Sequence, residues 1–420
     1  MKVLLEAPIL TQSGYGEHSR LVYRALQKAE DVELYINPLN WGTTGWISED
    51  SEERKNIDLS IKKMADITRE SKDNNKQPNF DLQIHVGIVN EFTKKAPYSI
   101  CVTAGIETDR ISPEWVVQTH RGIDKIIVPS VHAAKGFQET SFEVVQEAKQ
   151  IKTILSCKDI PVEVVPYPVK EITPHDLNIQ LETKFNFLSI ALFGPRKNLE
   201  NMIKWFVEEF KDDPETGLLL KVSKSSGSII DKEYTKKTLT KTLSNYPDRK
   251  CKVYLLHGDL TEQEMHSLYL RDDIHAYITA THGEGYGLPI FEAAYSGLPI
   301  VATNWSGHLD FLSAEYKESG KKKEKQLFAK VDYELKEIPK EAVWDKILIK
   351  ESKWAYPKQS SFKSQLRKMK QNHGMYKKWA SVLKDNIQST HSSEQVIDTM
   401  KNSLISHIEN IKKEQNEIFS

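Results

Sequence analysis

Residues 284–292 read EGYGLPIFE, and they constrain the fold of this 420-residue chain more than any other stretch. The apolar run 274–280 (IHAYITA) precedes them and is typical of a buried strand. Leu288–Ser296 is typical of a helix, with Pro289 at its start and Gly297 just after its end. A strand, a glycine loop and a helix N-terminus therefore follow one another. This arrangement directs free backbone N–H groups and the positive end of a helix dipole into a cleft.

Two carboxylates, Glu284 and Glu292, flank the glycines Gly285 and Gly287 of this loop. A phosphate suits backbone amides at a helix N-terminus, and acceptor-only carboxylates at a fixed separation suit sugar hydroxyls. Together these groups indicate a nucleotide sugar as the ligand. The alternative is a plain strand-to-helix turn with solvated glutamates. Residues 298–312 (LPIVATNWSGHLDFL) weigh against that alternative, because they repeat the strand and glycine loop, as in a parallel sheet whose carboxyl-end loops form a site.

The stretch resembles the Glu-x7-Glu signature of family 4 of the retaining glycosyltransferases. The resemblance continues in the family's order over most of the chain, through SGYGEHSR, GIETDRISPEW, KIIVPS, FGPRKN, LHGDLTEQEMHSLY, VDYELKEIP and KWAYP. It implies the α/β GT-B fold, in which two Rossmann-like parallel-sheet domains face a central cleft. It also implies that the second domain binds most of a nucleotide sugar, and that a C-terminal helix crosses back to the first domain.

The alternation of strand and helix patterns also indicates open parallel sheets covered on both faces. We assign 1–172 to a first, acceptor-side domain, with a polar insertion at 39–78 that contains one helix and is a candidate lid. Residues 173–391 form the second, nucleotide-sugar-binding domain. The C-terminal helix, 392–420, is expected to complete the first domain. It carries an apolar stripe with helical spacing: Ile397, Met400, Leu404, Ile408 and Ile411.

The formal net charge is −1, so no overall field draws the chain to nucleic acid or membrane. Two local runs are basic: 317–330 has six Lys against two Glu, and 351–380 has eight Lys or Arg against one Glu. Each run is either a solvated face or a surface for an anionic acceptor such as DNA or lipid headgroups.

Three widely spaced cysteines fit neither a disulfide framework nor a zinc site, which favours a reducing compartment. The N-terminus MKVLLEAP does not read as a signal peptide, and no apolar run approaches transmembrane length. We therefore expect a cytoplasmic protein that is at most peripheral to a membrane.

Candidate donor-binding residues occur after the first strand of each predicted domain. Gly14 and Gly16 form a glycine loop that lets the backbone approach a phosphate or sugar. Arg196 and Lys197 follow the predicted strand 185–193, where fixed cations would stabilise a departing diphosphate. By resemblance, Lys197 matches the family's lysine. Leu192 stands where the family has an arginine, so Arg196 is a hypothetical substitute. The alternative is a pair of surface cations at a helix start.

The resemblance assigns further roles residue by residue. It places Glu284 on the donor sugar or its phosphates and Glu292 on the ribose hydroxyls. The diphosphate would contact the backbone of Gly285, Tyr286, Gly287 and Leu288, and the base would contact the backbone of Gly258. The residues expected to take part in catalysis are Glu284, Lys197 and Glu107.

The acceptor side departs from better-known members of the family. Many carry a histidine after the fourth strand of the first domain, whereas this chain reads CVTAGIETD. A subset of the family has a similar Glu-Thr pair, so Glu107 and Thr108 are acceptor-side candidates. The alternative for Glu107 is a carboxylate near the helix start at Ser112.

The resemblance implies transfer of a hexose with retention of anomeric configuration. No metal or other cofactor is expected, because an Asp-x-Asp run is missing. The acceptor stays open among a lipid-linked saccharide, a polysaccharide end, a protein and a hydroxylated DNA base. The competing functions are a sugar-nucleotide epimerase with this fold and a non-catalytic glycan or nucleotide binder.

Overall fold

A computed structural model of the chain describes residues 1–42, 44–47, 50–146, 151–318 and 321–418, with side chains except at 146, 151, 318 and 406–418. The first domain is built on a parallel sheet with the strand order β2-β1-β3-β4-β5-β8. Its elements in chain order are β1 (Lys2–Ala7), α1 (Gly14–Gln27), β2 (Glu33–Pro38), α2 (Glu52–Asp73), β3 (Leu82–Val86), β4 (Tyr98–Val102), α3 (Pro113–Thr119), β5 (Lys125–Val128), α4 (Val131–Glu139), β6 (Ser141–Gln146), β7 (Ile151–Ser156) and β8 (Val162–Val164). Strands β6 and β7 form a separate antiparallel hairpin.

The second domain is built on a parallel sheet with the strand order β11-β10-β9-β12-β13-β16. Its elements are β9 (Phe185–Leu192), α5 (Leu199–Phe210), β10 (Thr216–Ser223), α6 (Ile229–Leu243), β11 (Lys252–Leu256), α7 (Glu262–Leu270), β12 (Ala276–Ile278), α8 (Leu288–Tyr295), β13 (Ile300–Thr303), β14 (Ser313–Glu318), β15 (Lys321–Gln326), β16 (Ala329–Val331), β17 (Tyr333–Glu337), β18 (Lys353–Pro357), α9 (Gln359–Gln371) and α10 (His373–Thr390). The pairs β14–β15 and β17–β18 are antiparallel hairpins.

The order of strands in each sheet fixes where a ligand can bind. The first strand of each sheet lies in its interior. Later strands are added first on one side of it and then on the other, so the strand order reverses between β1 and β3 in the first domain and between β9 and β12 in the second. Loops diverge at such a reversal and leave a crevice at the carboxyl ends of the strands. The crevice is lined by the loops after β1 and β4 on one side and after β9 and β12 on the other. The predicted α/β fold with two parallel-sheet domains is therefore confirmed.

The final helix, α11 (Ser393–Ile418), returns to the first domain. Its residues Val396, Met400 and Leu404 are buried in the same core as Leu21 and Val22 of α1. The apolar stripe drives this docking, because an amphipathic helix gains most of its stability by burying its apolar face. The prediction that the closing helix crosses back is confirmed. The side chains of Ile408 and Ile411, which continue the predicted stripe, lie outside the described ones.

A second crossing connects the domains in the opposite sense. Residues 338–352, which we call the strap, join β17 to β18 and extend from the second domain onto the first. Ile347 of the strap is 8% exposed and belongs to the core of the first domain. The Ser112 hydroxyl donates a hydrogen bond to the carbonyl of Lys346 at 2.6 Å. At the end of the strap, Asp109 and Lys353 exchange two hydrogen bonds through their backbones and the Asp109 carboxylate. Sequence patterns did not anticipate the strap.

The basic run 351–380 covers β18, α9 and the start of α10. Several of its cations are paired inside the second domain. Lys363 lies 3.4 Å from Glu208, Arg367 lies 2.6 Å from Glu209, and Lys370 contacts Asp213. Part of the positive charge is thus neutralised by α5 and the residues that follow it. Among the described residues, no helix combines the length and the apolar character needed to cross a bilayer.

We expect Leu404→Ala to destabilise the first domain by roughly 2–5 kcal/mol, because it leaves a cavity under a side chain that is 0% exposed. The measurement is the free energy of unfolding from urea titration. Thr399→Ala, an exposed position on the same helix, is the matched control and should change that free energy by about 0.5 kcal/mol or less. Equal effects of the two changes would show that the helix does not depend on this packing.

Candidate active site

A cavity of about 1170 Å³ lies between the two domains. Its floor contains the glycine loop between β12 and α8, together with the turn between β9 and α5. The loops after β1 and β4 form the opposite wall, and the insertion and the strap extend that wall outward. A cleft of this size at the carboxyl ends of parallel strands is the position where ligands bind in this architecture.

The strongest electrostatic feature of the cavity is a carboxylate held between two cations. The Glu284 side chain receives Lys197 Nζ on one oxygen at 2.6 Å and an Arg196 Nη atom on the other at 2.8 Å. Arg196 also donates to the carbonyl of Gly283 at 2.7 Å. Burial opposes the charge on Glu284, but Lys197 and Arg196 outweigh it and lower the pKa of Glu284 to about 2. Burial lowers the pKa of Lys197, which Glu284 counteracts in part.

The local chain explains why both cations reach the cavity. They lie in a short 3₁₀ turn, Pro195–Lys197, between β9 and α5. Asn198 follows with a positive φ of 53°, which asparagine tolerates better than most residues. Its side-chain amide donates to the carbonyl of Ala280 at 3.0 Å and ties this turn to the segment after β12. The turn and the glycine loop are therefore held as one unit.

Glycines allow the backbones of the two domains to touch beside this cluster. A β-carbon at Gly285 would lie 2.3 Å from the carbonyl oxygen of Ala104, and one at Gly283 would lie 2.1 Å from that of Glu107. Gly287 has a φ of 91° at the N-terminus of α8, a conformation that favours glycine. Of the glycines that the sequence singled out, Gly285 thus serves close approach and Gly287 a left-handed turn.

Glu107 lines the cavity from the first domain. Its carboxylate lies 3.3 Å from an Arg196 Nη atom, so Arg196 connects Glu107 with Glu284 across the domain boundary. Thr108 is buried and donates its hydroxyl hydrogen to the carbonyl of Arg110 at 2.9 Å. The structure thus brings Glu107 into the cavity and gives Thr108 a local hydrogen bond in the turn.

Glu292 lies on the face of α8 that lines the cavity. The Tyr269 hydroxyl donates to one of its oxygens at 2.8 Å. Burial raises the pKa of Glu292, and the nearby Lys170 opposes this shift. Among the described residues, the other oxygen of Glu292 has no hydrogen-bond partner, whereas both oxygens of Glu284 accept from cations.

The remaining predicted donor-side residues fall into two groups. Gly14, Tyr286 and Leu288 line the cavity together with the residues already described. Gly16 and Gly258 are not among its lining residues in the described part of the chain. A β-carbon at Gly16 would lie 2.0 Å from the carbonyl oxygen of Thr11, which explains the glycine there as a packing requirement. The carbonyl of Gly258 accepts a hydrogen bond at 2.6 Å from Lys221, whose side chain does line the cavity.

Lys170 was not among the predicted site residues. It lies between the domains, 3.0 Å from Glu17 of α1 and 2.8 Å from Glu262 at the start of α7. Burial lowers the pKa of Lys170, but Glu17, Glu262 and Glu292 outweigh it and raise that pKa overall. The sequence offers one signal for this residue: Lys170 lies in the linker motif PVKEITP. A linker between two domains passes beside the cleft that they form, so its charged residues are candidates for the site.

Aromatic residues of the outer cavity were also missed. Trp41 from the insertion, Trp344 from the strap and Trp354 from β18 all line it. The sequence contains no signal for them beyond the tryptophan residues themselves. They were missed because their segments are typical of surface loops or of an isolated strand.

The fold is shared with solved glycosyltransferase structures. Sucrose-phosphate synthase from Thermosynechococcus elongatus matches with a TM-score of 0.61 and 12% identity, over 98% of this chain and 100% of that chain. HepE from Anabaena, solved with UDP and glucose, matches with a TM-score of 0.56 and 11% identity, over 97% and 100%. A glycosyltransferase from Rickettsia africae gives 0.57 and 11%, over 96% and 98%. The chain has the GT-B fold.

Sequence relatives cover only part of this GT-B chain. The serotype-specific mannosyltransferase WbdA of Escherichia coli is 27% identical over 116 residues, which is 28% of this chain and 13% of WbdA. A second mannosyltransferase of the same name matches over 12% of its length. No family model matches the chain.

We expect Gly285→Ala to open the GT-B cleft, because its β-carbon would meet the Ala104 carbonyl at 2.3 Å and backbone cannot yield as a flexible side chain does. The measurement is the radius of gyration from small-angle X-ray scattering, which should increase. Gly374→Ala is the matched control, since nothing lies within 4 Å of its β-carbon position. An unchanged radius of gyration for Gly285→Ala would contradict the close approach.

The Glu284 pairing should appear in the pH dependence of stability. The pKa of Glu284 is about 2 in the fold against 4.5 ordinarily. The pairing therefore stabilises the protein fully above pH 4.5 and is lost as the pH falls toward 2. Between pH 6 and pH 3, the wild type should lose roughly 2 kcal/mol more unfolding free energy than Glu284→Gln, measured by urea titration. Glu233→Gln, an exposed change on α6, should follow the wild type. Parallel curves for the wild type and Glu284→Gln would exclude the pairing as a source of stability.

Proposed function

We propose that this chain is a retaining glycosyltransferase that moves a hexose from a nucleotide-diphosphate sugar to an acceptor hydroxyl. The observation that carries the proposal is the Glu284 cluster, in which a carboxylate and two cations lie beside the N-terminus of α8 in the cleft between GT-B domains. The named similarities support it: WbdA is a mannosyltransferase, and HepE was solved with UDP and glucose.

The donor half of the reaction follows from the charges of the cleft. Arg196 and Lys197 would bind the diphosphate, and the backbone amides that begin α8 would add neutral donors and the helix dipole. These groups are in place before the ligand arrives, so they can stabilise charge on the leaving oxygen at little cost in reorganisation. The proposal requires no metal, because these cations and amides take that role.

Glutamates would orient the sugars. Glu284 would contact the donor hexose or its phosphates, and Glu292 would accept hydrogen bonds from the ribose hydroxyls. Glu292 has an oxygen available for this, and its raised pKa means that its ionised form is not well stabilised without a ligand. Glu107 would lie on the acceptor side, next to Arg196.

In the proposed step, the acceptor oxygen forms a bond to the anomeric carbon on the face from which the phosphate oxygen leaves. The bond between that carbon and the phosphate oxygen breaks, and its electron pair goes to the diphosphate. The acceptor proton moves to the departing phosphate oxygen. Attack and departure on one face preserve the anomeric configuration, and no protein carboxylate has to form a covalent intermediate of the kind found in retaining hydrolases.

Two other functions make different predictions. A sugar-nucleotide epimerase would convert the donor to an isomer without any acceptor. A non-catalytic binder would bind the donor and release it unchanged. The cations of the cleft support a protein that acts on a nucleotide diphosphate, and the likeness to WbdA, a mannosyltransferase, supports the transferase among the three.

The test begins with thermal unfolding in the presence of UDP-, GDP-, ADP- and TDP-sugars. A ligand at 100 times its dissociation constant stabilises the fold by about 2.7 kcal/mol, so the true donor should raise the midpoint. Products formed from that donor, with and without an acceptor, then separate transferase, epimerase and binder. A midpoint that no nucleotide sugar raises would reject the proposal.

Glu292→Ala should weaken donor binding by roughly 10- to 100-fold, because charged hydrogen bonds to ribose hydroxyls are lost. Calorimetric titration measures the donor dissociation constant. The variant should remain folded, because burial raises the pKa of Glu292 and its carboxylate therefore adds little to the stability of the fold. Glu233→Ala, on the exposed surface of α6, is the matched control. Unchanged donor affinity in Glu292→Ala would remove the ribose assignment.

A further inference from the structure

The wall of the cavity opposite the donor-binding loops has its own chemistry. We call it the outer wall and define it as the lining residues that come from the first domain and from the strap. Its apolar part includes Trp41, Ile47, Ile57, Trp344, Ile347 and Leu348. These residues come from the insertion and the strap, two segments that lie far apart in the sequence. Glu107, also on the wall, lies 3.3 Å from Arg196 and so joins the wall to the cluster around Glu284.

The cations of the outer wall are all paired with neighbouring acids. Arg20 lies 2.6 Å from Glu17. Arg24 donates to both oxygens of Glu53, at 2.7 and 2.8 Å.

Arg54, the third arginine of the wall, donates to both oxygens of Asp58 at 3.0 and 3.1 Å. Against these three arginines and Lys170, which pairs with Glu17 and Glu262, the wall carries four glutamates, at positions 17, 53, 107 and 341. An anionic acceptor would therefore meet no unpaired arginine among the described residues of the wall, and the four cations there are matched by four carboxylates. Balanced charges give the wall no net attraction for a phosphate, unlike the donor loops, where backbone amides at the N-terminus of α8 add to Arg196 and Lys197.

The tryptophans offer a surface suited to a sugar ring. Trp344 is 54% exposed, and the Trp41 ring is held by Tyr15, with ring centroids 4.3 Å apart. The π-face of an indole is electronegative and attracts the polarised C–H groups on one face of a pyranose. Gln12 and Ser13 lie in the same cavity and can hydrogen-bond to hydroxyls.

A third tryptophan of the cavity, Trp354, has a buried hydrogen-bond donor that is left without a partner by the described residues. Trp354 lines the cavity and is 2% exposed, and its indole N–H has no partner among the described residues. A buried donor without a partner costs free energy, and a ligand oxygen could recover that cost only if the ring moved to expose its N–H to the cavity.

We propose that the outer wall is the acceptor site and that it takes an uncharged glycan, whose terminal sugar stacks on Trp344 and Trp41. This inference rests on the proposed function and narrows its acceptor class. Stacked sugars would present a hydroxyl toward Glu107 and the donor loops. The balanced charge of the wall disfavours the two anionic acceptors, DNA and a lipid surface.

The test uses Trp344→Ala and Trp41→Ala, with Trp46→Ala as the matched control. Trp46 is 50% exposed, close to the value for Trp344, but it does not line the cavity. Purified protein is applied to an array of neutral and acidic oligosaccharides, which reports acceptor binding without turnover. The same protein is titrated with a duplex that contains 5-hydroxymethylcytosine and with phosphatidylglycerol vesicles.

The expected result is binding of neutral oligosaccharides that weakens at least tenfold in Trp344→Ala and Trp41→Ala and stays unchanged in Trp46→Ala. That binding should not vary between 50 and 500 mM NaCl. Stronger binding of the duplex or the vesicles, with the steep salt dependence of phosphate contacts, would overturn the inference. It would also be overturned if no neutral oligosaccharide bound, or if all three variants bound like the wild type.

Donor stabilisation separates this inference from the function on which it rests. The thermal shift caused by the nucleotide sugar is measured beside the array, in the wild type and in the three tryptophan variants. A normal donor shift with a failed array leaves the transferase proposal intact and rejects the acceptor site. Array binding without any donor shift rejects the transferase proposal.

Discussion

The pairing of Glu284 with Arg196 and Lys197 is the interaction on which the rest of the cleft depends. A carboxylate that is almost fully buried is tolerable only when cations compensate its lost hydration. Here the compensation comes from a different strand–helix connection, so the loop after β9 and the loop after β12 are locked together. Arg196 then reaches Glu107 and extends the network into the other domain. The two cations are thereby fixed at the cleft before any ligand binds.

Much of the fold could be predicted because it depends on local patterns. Strand β9, for example, was predicted at 185–193 and lies at Phe185–Leu192. The glycine loop could be placed because a buried strand precedes it and Pro289 follows it. Its chemistry was also readable, since Glu284 and Glu292 are on the two sides of one helix start. The stripe on α11 predicted docking, and the family resemblance supplied the domain on which it docks.

Other features depend on contacts that no local pattern records. Ser112 and Lys346 are 234 positions apart, yet their hydrogen bond anchors the strap. The strap and the short hairpins are polar on one side and lack the long apolar runs that mark a central strand. Lys170 looked like an ordinary linker lysine, because its partners Glu17 and Glu262 come from separate domains. The run 351–380 looked uniformly basic, because the acids that pair with it lie on and just after α5.

The strap also limits how the two halves of the molecule can move. Ile347 is seated in the core of one domain while its chain belongs to the other. Withdrawing such a side chain into water costs about 1.5–3 kcal/mol, before the loss of the hydrogen bonds around it. A rotation that keeps Ile347 in place must have its axis close to the strap. The linker that carries Lys170 is a second fixed point, because Lys170 pairs with both α1 and α7, so the axis of any opening must pass close to the strap and the linker together.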